Sequence, residues 1–355
     1  MLRMYSCLLT ATLLIAVLSP ASADQKSADQ RSGELEIYFI DVEGGAATLL
    51  VTPAGESILI DSGYPDNHGR DKDRIIDVAK NVAGLSHIDH AIVSHWHRDH
   101  YGNHAALAAE FGVKQFWDRG IPDTLAEDDQ FETRIAAYRA ASQNQSKALQ
   151  AGDTLPFKSG ETPFTAKVLT SGRNVIPNDG PPNPHADKHQ PRDRDPSDNA
   201  ASLSVLFQLG DFRFLCCGDL TWNVEAKLMT PNNPVGTVDL YMVTHHGLPT
   251  SNNPALVLAV DPTVTVMCNG PTKGGADSTL KTLRQIKSLK DMYQLHRNVQ
   301  LDEDLQAPAA FIANTGTTAT CNGQWIKATV SPDGSEYSLQ IGPQGKPRTY
   351  QTRSH

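Results

Sequence analysis

The sequence predicts an α/β layered fold, and three observations carry that prediction. Short apolar runs of strand spacing interleave with stretches of helical spacing from residue 35 to residue 341. No internal repeat or heptad pattern interrupts them. Polar residues able to do chemistry recur just after strands, where layered α/β folds place their sites.

Taken in order, residues 1–23 open with Arg3, continue through an apolar run over 8–18 and close on Ser19-Pro20-Ala21-Ser22-Ala23. That is the pattern of a cleavable secretory signal, with cleavage after Ala23. The apolar run falls short of the roughly 18–20 residues a spanning helix needs. The expectation is export, most simply to a bacterial periplasm, with no membrane span left after cleavage. Residues 24–33 read as a flexible polar lead. Strands over 35–40, 46–52 and 57–61, joined by Gly44-Gly45 and Pro53-Ala54-Gly55, predict an antiparallel meander. A helix over 73–82 precedes a strand over 88–94. An Ala-rich helix over 103–111 stops at Gly112 before a strand over 114–117. The longest helical pattern runs over 126–150, with Phe131, Ile135, Tyr138 and Leu149 as its apolar positions, and short strands follow near 154–156 and 166–169.

Residues 171–199 are rich in Pro, Asp and Asn and read as a long loop, one that contains His185 and His189. Strands over 202–209 and 212–217 turn at Gly210-Asp211. Then come a helix over 225–229, a strand over 238–244, and helices over 254–259 and 278–288 flanking a strand over 264–267. Strands at 309–313, 325–330 and 337–341 end the domain, the last two joined by the hairpin turn at 331–335. One domain over 34–345 with a tail over 346–355 is the expected organisation.

Lys and Arg number 31 against 40 Asp and Glu, a formal charge of -9. Loss of the signal would remove only Arg3 from that balance, leaving the mature chain one unit more acidic. Such a field does not gather polyanions, so a small-molecule substrate is expected and long nucleic acid is disfavoured. Of the cysteines, Cys216 and Cys217 are adjacent and would strain if bonded to each other, whereas a Cys268–Cys321 bridge is open to an exported chain. None has the paired spacing of a zinc site, and all read as small apolar residues. Composition sets no oligomeric state.

The most informative stretch is His95-Trp96-His97-Arg98-Asp99-His100, directly after the apolar run Ala91-Ile92-Val93. Imidazole and carboxylate are the ligands zinc takes when a position must stay open for water. In an extended segment His95 and His97 share a face, and Asp99 and His100 in the next turn can reach a second ion. Three further strands end on polar residues: Asp61 after Ile58-Leu59-Ile60, Asp219 after Cys216-Cys217-Gly218, and His245-His246 after Val243-Thr244.

This order of residues resembles the metallo-β-lactamase superfamily over about residues 34 to 345. Within it, Asp41-Val42-Glu43-Gly44-Gly45, Asp61-Ser62-Gly63, Asn199-Ala200-Ala201-Ser202-Leu203, Cys217-Gly218-Asp219 and His245-His246-Gly247 are similar to the hydrolase domain attached to the bacterial DNA-uptake channel. The resemblance implies an αββα sandwich with a dinuclear zinc site at one edge of its sheets. His95 and His97 would hold one ion. Asp99, His100 and His245 would hold the other, with His246 as the alternative, and Asp219 would bridge them. Asp61 would orient a ligand imidazole, and the spare His246 would contact a phosphoryl oxygen or protonate a leaving group. Two ions that share a hydroxide make a strong nucleophile near neutral pH.

The departure from the superfamily pattern lies at Asp198-Asn199-Ala200-Ala201, where many members supply a third histidine to the first ion. The expectation is an incomplete first site, helped by Asn199, rather than one completed by His185 or His189. His97 stands where the iron-binding, oxygen-reducing branch carries glutamate, which points to zinc hydrolysis. The function expected is an exported zinc hydrolase of small phosphodiesters or phosphoesters, with Asp99, Asp219 and His246 in the chemistry. A lactonase or β-lactamase-like enzyme is the enzymatic alternative, and an inactive zinc-binding or partner-binding protein is the other. Trp96, Trp117 and Trp222 read as core or pocket wall, and 273–275 and 296–297 as solvated surface.

Overall fold

The computed structural model describes residues 33–65 and 67–354; the expected secretory signal and the polar lead up to residue 32 lie outside them. Among the described residues the strands form two mixed sheets. The first runs in spatial order Arg348–Gln351, Glu336–Ile341, Ile326–Val330, Leu35–Phe39, Thr48–Val51, Ser57–Ile60, Ile88–Ile92, Val113–Asp118, Lys147–Ala148. The second runs Ile312–Asn314, Asp291–His296, Val264–Met267, Leu240–Met242, Phe212–Cys216, Ser204–Leu209, Phe164–Ser171, Asn174–Val175.

Strand alternation explains why the sheets stack. Leu35, Ile37 and Phe39 enter the core between the sheets, while Tyr38 and Ile40 join Ile75, Val78 and Ala79 of the helix outside. From the other sheet Phe212, Phe214 and Cys216 enter the same inter-sheet core. Leu215 and Cys217 face the cluster beneath helices Trp222–Met229 and Pro254–Val260. Phe39 meets Phe214 edge to face across the gap, ring centroids 5.8 Å apart. The layers are therefore helix, sheet, sheet, helix, the αββα sandwich expected.

The opening meander is antiparallel, after which Ser57–Ile60, Ile88–Ile92 and Val113–Asp118 run parallel. In the second sheet Phe212–Cys216, Leu240–Met242, Val264–Met267 and Asp291–His296 are parallel neighbours. Parallel strands gather their carboxyl ends, and the residues that follow them meet at one edge of the sandwich.

The structure refines several expectations. The helix expected over 126–150 is confined to Phe131–Ala141, because Gln143 and Asn144 turn left-handed (φ 54° and 55°) and the chain returns as edge strand Lys147–Ala148. Residues 171–199 have almost no apolar side chains yet are fastened down by polar ones. Arg173 donates to the carbonyls of Asp195, Pro196 and Ser197 at 2.6–2.7 Å, and Asn183 donates to those of Met229 and Ala255. The expected tail contributes edge strand Arg348–Gln351. Cys216, Cys217, Cys268 and Cys321 are all free thiols, so Cys268 and Cys321 are not bridged. No helix among the described residues is long and apolar enough to cross a membrane.

Candidate metal centre

The first sheet supplies its ligands through strand Ile88–Ile92. Past its end the chain bends at His95 and Trp96, is extended at His97 (φ −81°, ψ 146°) and then makes the single turn Arg98–Tyr101, which carries Asp99 and His100. His95 and His97 fall on one side, ring centroids 4.7 Å apart. Asp61, next in the neighbouring parallel strand, accepts from Ser94 N (2.8 Å), Ser94 Oγ (2.7 Å) and His100 Nδ1 (2.8 Å). That last bond leaves His100 Nε2 with its lone pair facing inward.

The second sheet supplies Asp219 through the turn at Gly218 (φ 54°), where a Cβ would come within 2.9 Å of Ser94 Cβ, so only glycine lets the two sheets approach. His245 and His246 follow strand Leu240–Met242 and both take left-handed backbone, φ 55° and 53°. Two such residues in succession are costly, roughly 1–3 kcal/mol each, and mark a site where position matters more than local comfort. His246 Nδ1 donates to Cys268 O at 2.9 Å, and His245 Nδ1 lies 3.0 Å from Ser251 Oγ and 3.1 Å from Thr250 Oγ1. In both rings Nε2 lies 3.4 Å from Asp219 Oδ2.

Asp99, His100, Asp219 and His246 converge, with one ligand atom of each inside 4.8 Å. His100 Nε2 is 3.2 Å from Asp219 Oδ2 and 3.5 Å from Asp99 Oδ2, and His246 Nε2 is 3.4 Å from both carboxylates. The two imidazole nitrogens approach each other to 3.3 Å. Buried carboxylates and ring nitrogens pointed at one spot, each imidazole oriented through its other nitrogen, are the donor set of a divalent cation such as zinc. His95 strengthens the fit: its Nε2 is buried without a hydrogen-bond partner, 3.9 Å from Asp219 Oδ2. The residues present therefore fit the metal the fold implies.

Burial and the packed charges act on each group of the centre. Burial opposes ionisation of Asp99 and Asp219, but the neighbouring histidines outweigh it and hold both carboxyls well below the usual range. Burial opposes charge on His100 as well, yet Asp219, Asp61 and Asp99 hold it well above an ordinary imidazole. His95 is pushed far down by burial, and His245 is pushed down to about 4 by the same cause.

The structure rearranges several expected roles. Of the two histidines either of which was expected as the ligand, His246 lies within the four-residue cluster and His245 does not. The left-handed turn splays the two rings, which are 6.1 Å apart. His245 Nε2 sits 3.4 Å from Asp219 Oδ2 and 3.4 Å from Asn199 Nδ2. His97 Nε2 is engaged by Glu127 Oε1 at 3.1 Å instead of pointing at Asp219. His189 Nδ1 bonds Asn253, the backbone N–H of His185 donates to Asn183, and neither imidazole is in the four-residue cluster.

Two residues at the centre, Glu127 and Lys273, carried no signal in the motif, and a third, His296, belongs to a separate buried group. Glu127 binds both His97 and the backbone N–H of Asp198. Lys273, expected on the surface, is salt-bridged to Asp99 and donates to Tyr64 Oη at 3.2 Å. His296 is buried, donating from Nε2 to Asp41 Oδ1 at 2.7 Å, while Asp41 Oδ2 accepts from Cys321 (3.1 Å) and Arg74 (2.9 Å). With Arg74 on the same carboxylate, that group reads as a tie between the sheets rather than a cation site.

The family model described as the metallo-beta-lactamase superfamily matches residues 40–294. No curated protein sequence matches the chain. Among solved structures, the chain is similar to a protein of Parabacteroides distasonis ATCC 8503 named a metal-dependent hydrolase, with 15% identity, TM-score 0.42, 75% of this chain and 94% of that one covered. It is also similar to Igni18, a metallo hydrolase of Ignicoccus hospitalis, with 12% identity, TM-score 0.43, 73% and 94% covered. A third is CmlA, a diiron β-hydroxylase of Streptomyces venezuelae, with 16% identity, TM-score 0.37, 72% and 47% covered, so the chain spans about half of that protein.

Proposed function

Because the chain belongs to the metallo-β-lactamase superfamily and is a metal-dependent hydrolase of that kind, we propose that it is an exported zinc enzyme cleaving small phosphodiesters or phosphoesters. One observation carries the reading: Asp99 and His100 from one sheet and Asp219 and His246 from the other bring four ligand atoms within 4.8 Å. When bound there, zinc supplies Lewis acidity and brings the pKa of water to near neutrality. The chain's own residues do the rest. Asp61 fixes the His100 ring, the Cys268 carbonyl fixes His246, and Asp219 holds its carboxylate between them. Lys273, salt-bridged to Asp99 and donating to Tyr64 Oη, supplies a cation beside the centre that an anionic oxygen of the substrate would meet.

Phosphoester chemistry is favoured over cyclic esters or amides by two features. The motifs are similar to those of the DNA-uptake hydrolase domain. A cavity of about 250 Å³ is lined by Arg192, Arg194, Asp193, Asp195, Trp222 and Thr250, the last in contact with His245. Arginines suit phosphate. The cavity's size and the acidic charge of the chain favour small substrates over long nucleic acid. Export rests on the pattern of residues 1–23.

Hydrolysis of bis(p-nitrophenyl) phosphate by purified mature protein, before and after chelation, tests the proposal. Chelator-sensitive cleavage that Asp219→Ala abolishes is the expected result. No cleavage, or cleavage indifferent to chelation, sinks it. Cleavage of lactones or β-lactams instead moves the assignment to that chemistry.

A further inference from the structure

Beside the His245-His246 turn lies a buried polar network that touches none of the four converged ligands. Glu225, on helix Trp222–Met229, is a fully buried carboxylate that accepts from the backbone N–H groups of Asn252 (3.0 Å) and Asn253 (2.7 Å). Burial pushes its carboxyl up to about 8 against those two bonds. Burying an ionisable group is unfavourable unless its bonds compensate. We propose that Glu225, Asn252 and Tyr241 are positioning residues of the metal centre, fixing through Thr244 the strained backbone that aims His246 at Asp99 and Asp219. This rests on the metal-hydrolase reading above and says what holds one of its ligands in place.

Asn252 connects the carboxylate to the histidines. Its own backbone is left-handed (φ 64°), and its Nδ2 donates at 2.9 Å to Thr244 O, the carbonyl of the peptide that leads into His245. Its Oδ1 accepts from Tyr241 Oη at 3.0 Å. Tyr241 Oη in turn accepts from Thr244 N at 3.2 Å and lies 2.7 Å from Thr244 Oγ1. Two side chains thus hold the N–H, the hydroxyl and the carbonyl of Thr244. Glu225, Tyr241, Thr244 and Asn252 are each no more than 1% exposed, so solvent does not compete for these bonds.

The turn requires such support. His245 and His246 are left-handed in succession, a conformation that persists only where the surroundings over-determine it. After the pair, Gly275 N donates to His246 O and Ala276 N to Gly247 O, both at 2.9 Å. Within it, His245 N donates to Gly218 O at 3.0 Å. Before it, the bonds on Thr244 are the matching anchor. Freed there, residues 245 and 246 can relax toward ordinary backbone, and His246 Nε2 leaves the point where it stands 3.4 Å from both carboxylates. None of the three positioning residues belongs to the four-residue cluster, so they act on it through the backbone.

The test separates metal affinity from stability. The full mature chain, stripped of metal, is dialysed against buffers of graded free zinc and its bound metal measured by atomic emission. Visible spectra of the cobalt(II)-saturated protein report ligand geometry, and thermal melting of the stripped protein reports stability. Asn252→Gly keeps the left-handed backbone and loses the side-chain bonds. Tyr241→Phe removes one hydroxyl and keeps the ring. Each is expected to weaken zinc binding roughly tenfold or more and to change the cobalt spectrum. Glu225→Gln, whose amide cannot accept from both N–H groups, should do the same to a smaller degree. Leu228→Ala, which opens a cavity on the same helix outside the network, should lower Tm and leave zinc affinity and the cobalt spectrum as in wild type. If Asn252→Gly does not fold, Tyr241→Phe decides. Wild-type zinc affinity in the variants that fold overturns the proposal. So does Leu228→Ala if it weakens zinc binding as much as they do for the same loss of Tm. A wild type that binds no zinc overturns the metal-hydrolase reading itself, and this proposal with it.

Discussion

Asp61 accepts three hydrogen bonds from a left-handed position (φ 59°) and touches no candidate ligand atom, yet it decides which nitrogen His100 presents. Asp61→Asn would keep the shape and lose the negative charge that fixes the tautomer. Metal affinity should drop by roughly 10–100-fold, as for other partners of ligand histidines, in a chelator competition. Wild-type affinity in that variant would remove Asp61 from the centre. His104 offers a separate test of burial. Its Nδ1 meets Ser62 Oγ at 2.7 Å, its Nε2 is buried without a partner, and burial pushes it down to about 4. The unfolded imidazole takes a proton near 6.5 and the folded one only near 4, so the folded state loses stability as pH falls through that window, by about 3 kcal/mol. The wild-type denaturation midpoint should fall between pH 6.5 and 4 more steeply than that of His104→Gln, and parallel profiles would refute the assignment. At this scale the sequence announces residue types well and partners poorly. The 95–100 motif, Asp61 and Asp219 were legible because they follow strands. Glu127 and Lys273 were not, because nothing local marks a residue brought to the centre by a distant loop.

Segment 171–199 shows how a long loop is fixed in place without apolar packing. Strand and helix patterns are read from apolar spacing, and this segment is held by guanidinium and amide groups that bond backbone carbonyls instead. Arg173 alone grips three consecutive carbonyls at residues 195–197, just before the Asp198–Ala201 turn that carries Asn199. Arg173→Ala should free that grip, making the chain between residues 176 and 197 markedly more sensitive to limited proteolysis while the sandwich core stays resistant. Unchanged cleavage would mean that the Asn178 and Asn183 bonds suffice. The element pattern was otherwise legible where burial is two-sided, as in Phe212–Cys216 and Val264–Met267. It failed at 126–150, where Leu149 belongs to the inter-sheet core and not to the helix ending at Ala141.

On the scale of the whole molecule, the centre is a joint between sheets. The Asp61, Asp99 and His100 side hangs on the first sheet, the Asp219, His245 and His246 side on the second, and their one-edge meeting follows from parallel strands ending together. Alternation along the strands made the sandwich legible, but the register of one sheet over the other depends on packing such as Phe39 against Phe214, which no local pattern encodes. A cation at the joint binds only when both sheets are assembled, since the unfolded chain has no such site. Metal should therefore stabilise the whole domain, by roughly 4 kcal/mol at a thousandfold excess over its dissociation constant. For a domain of this size that is on the order of 10 °C in Tm. Scanning calorimetry of the stripped protein should show a lower Tm that zinc restores in a concentration-dependent way. Asp219→Ala, which removes the carboxylate facing both histidines, should abolish the zinc-dependent part. A Tm indifferent to zinc would mean that the sheets are held by their apolar core alone and that the clustered carboxylates and imidazoles do not bind a metal ion.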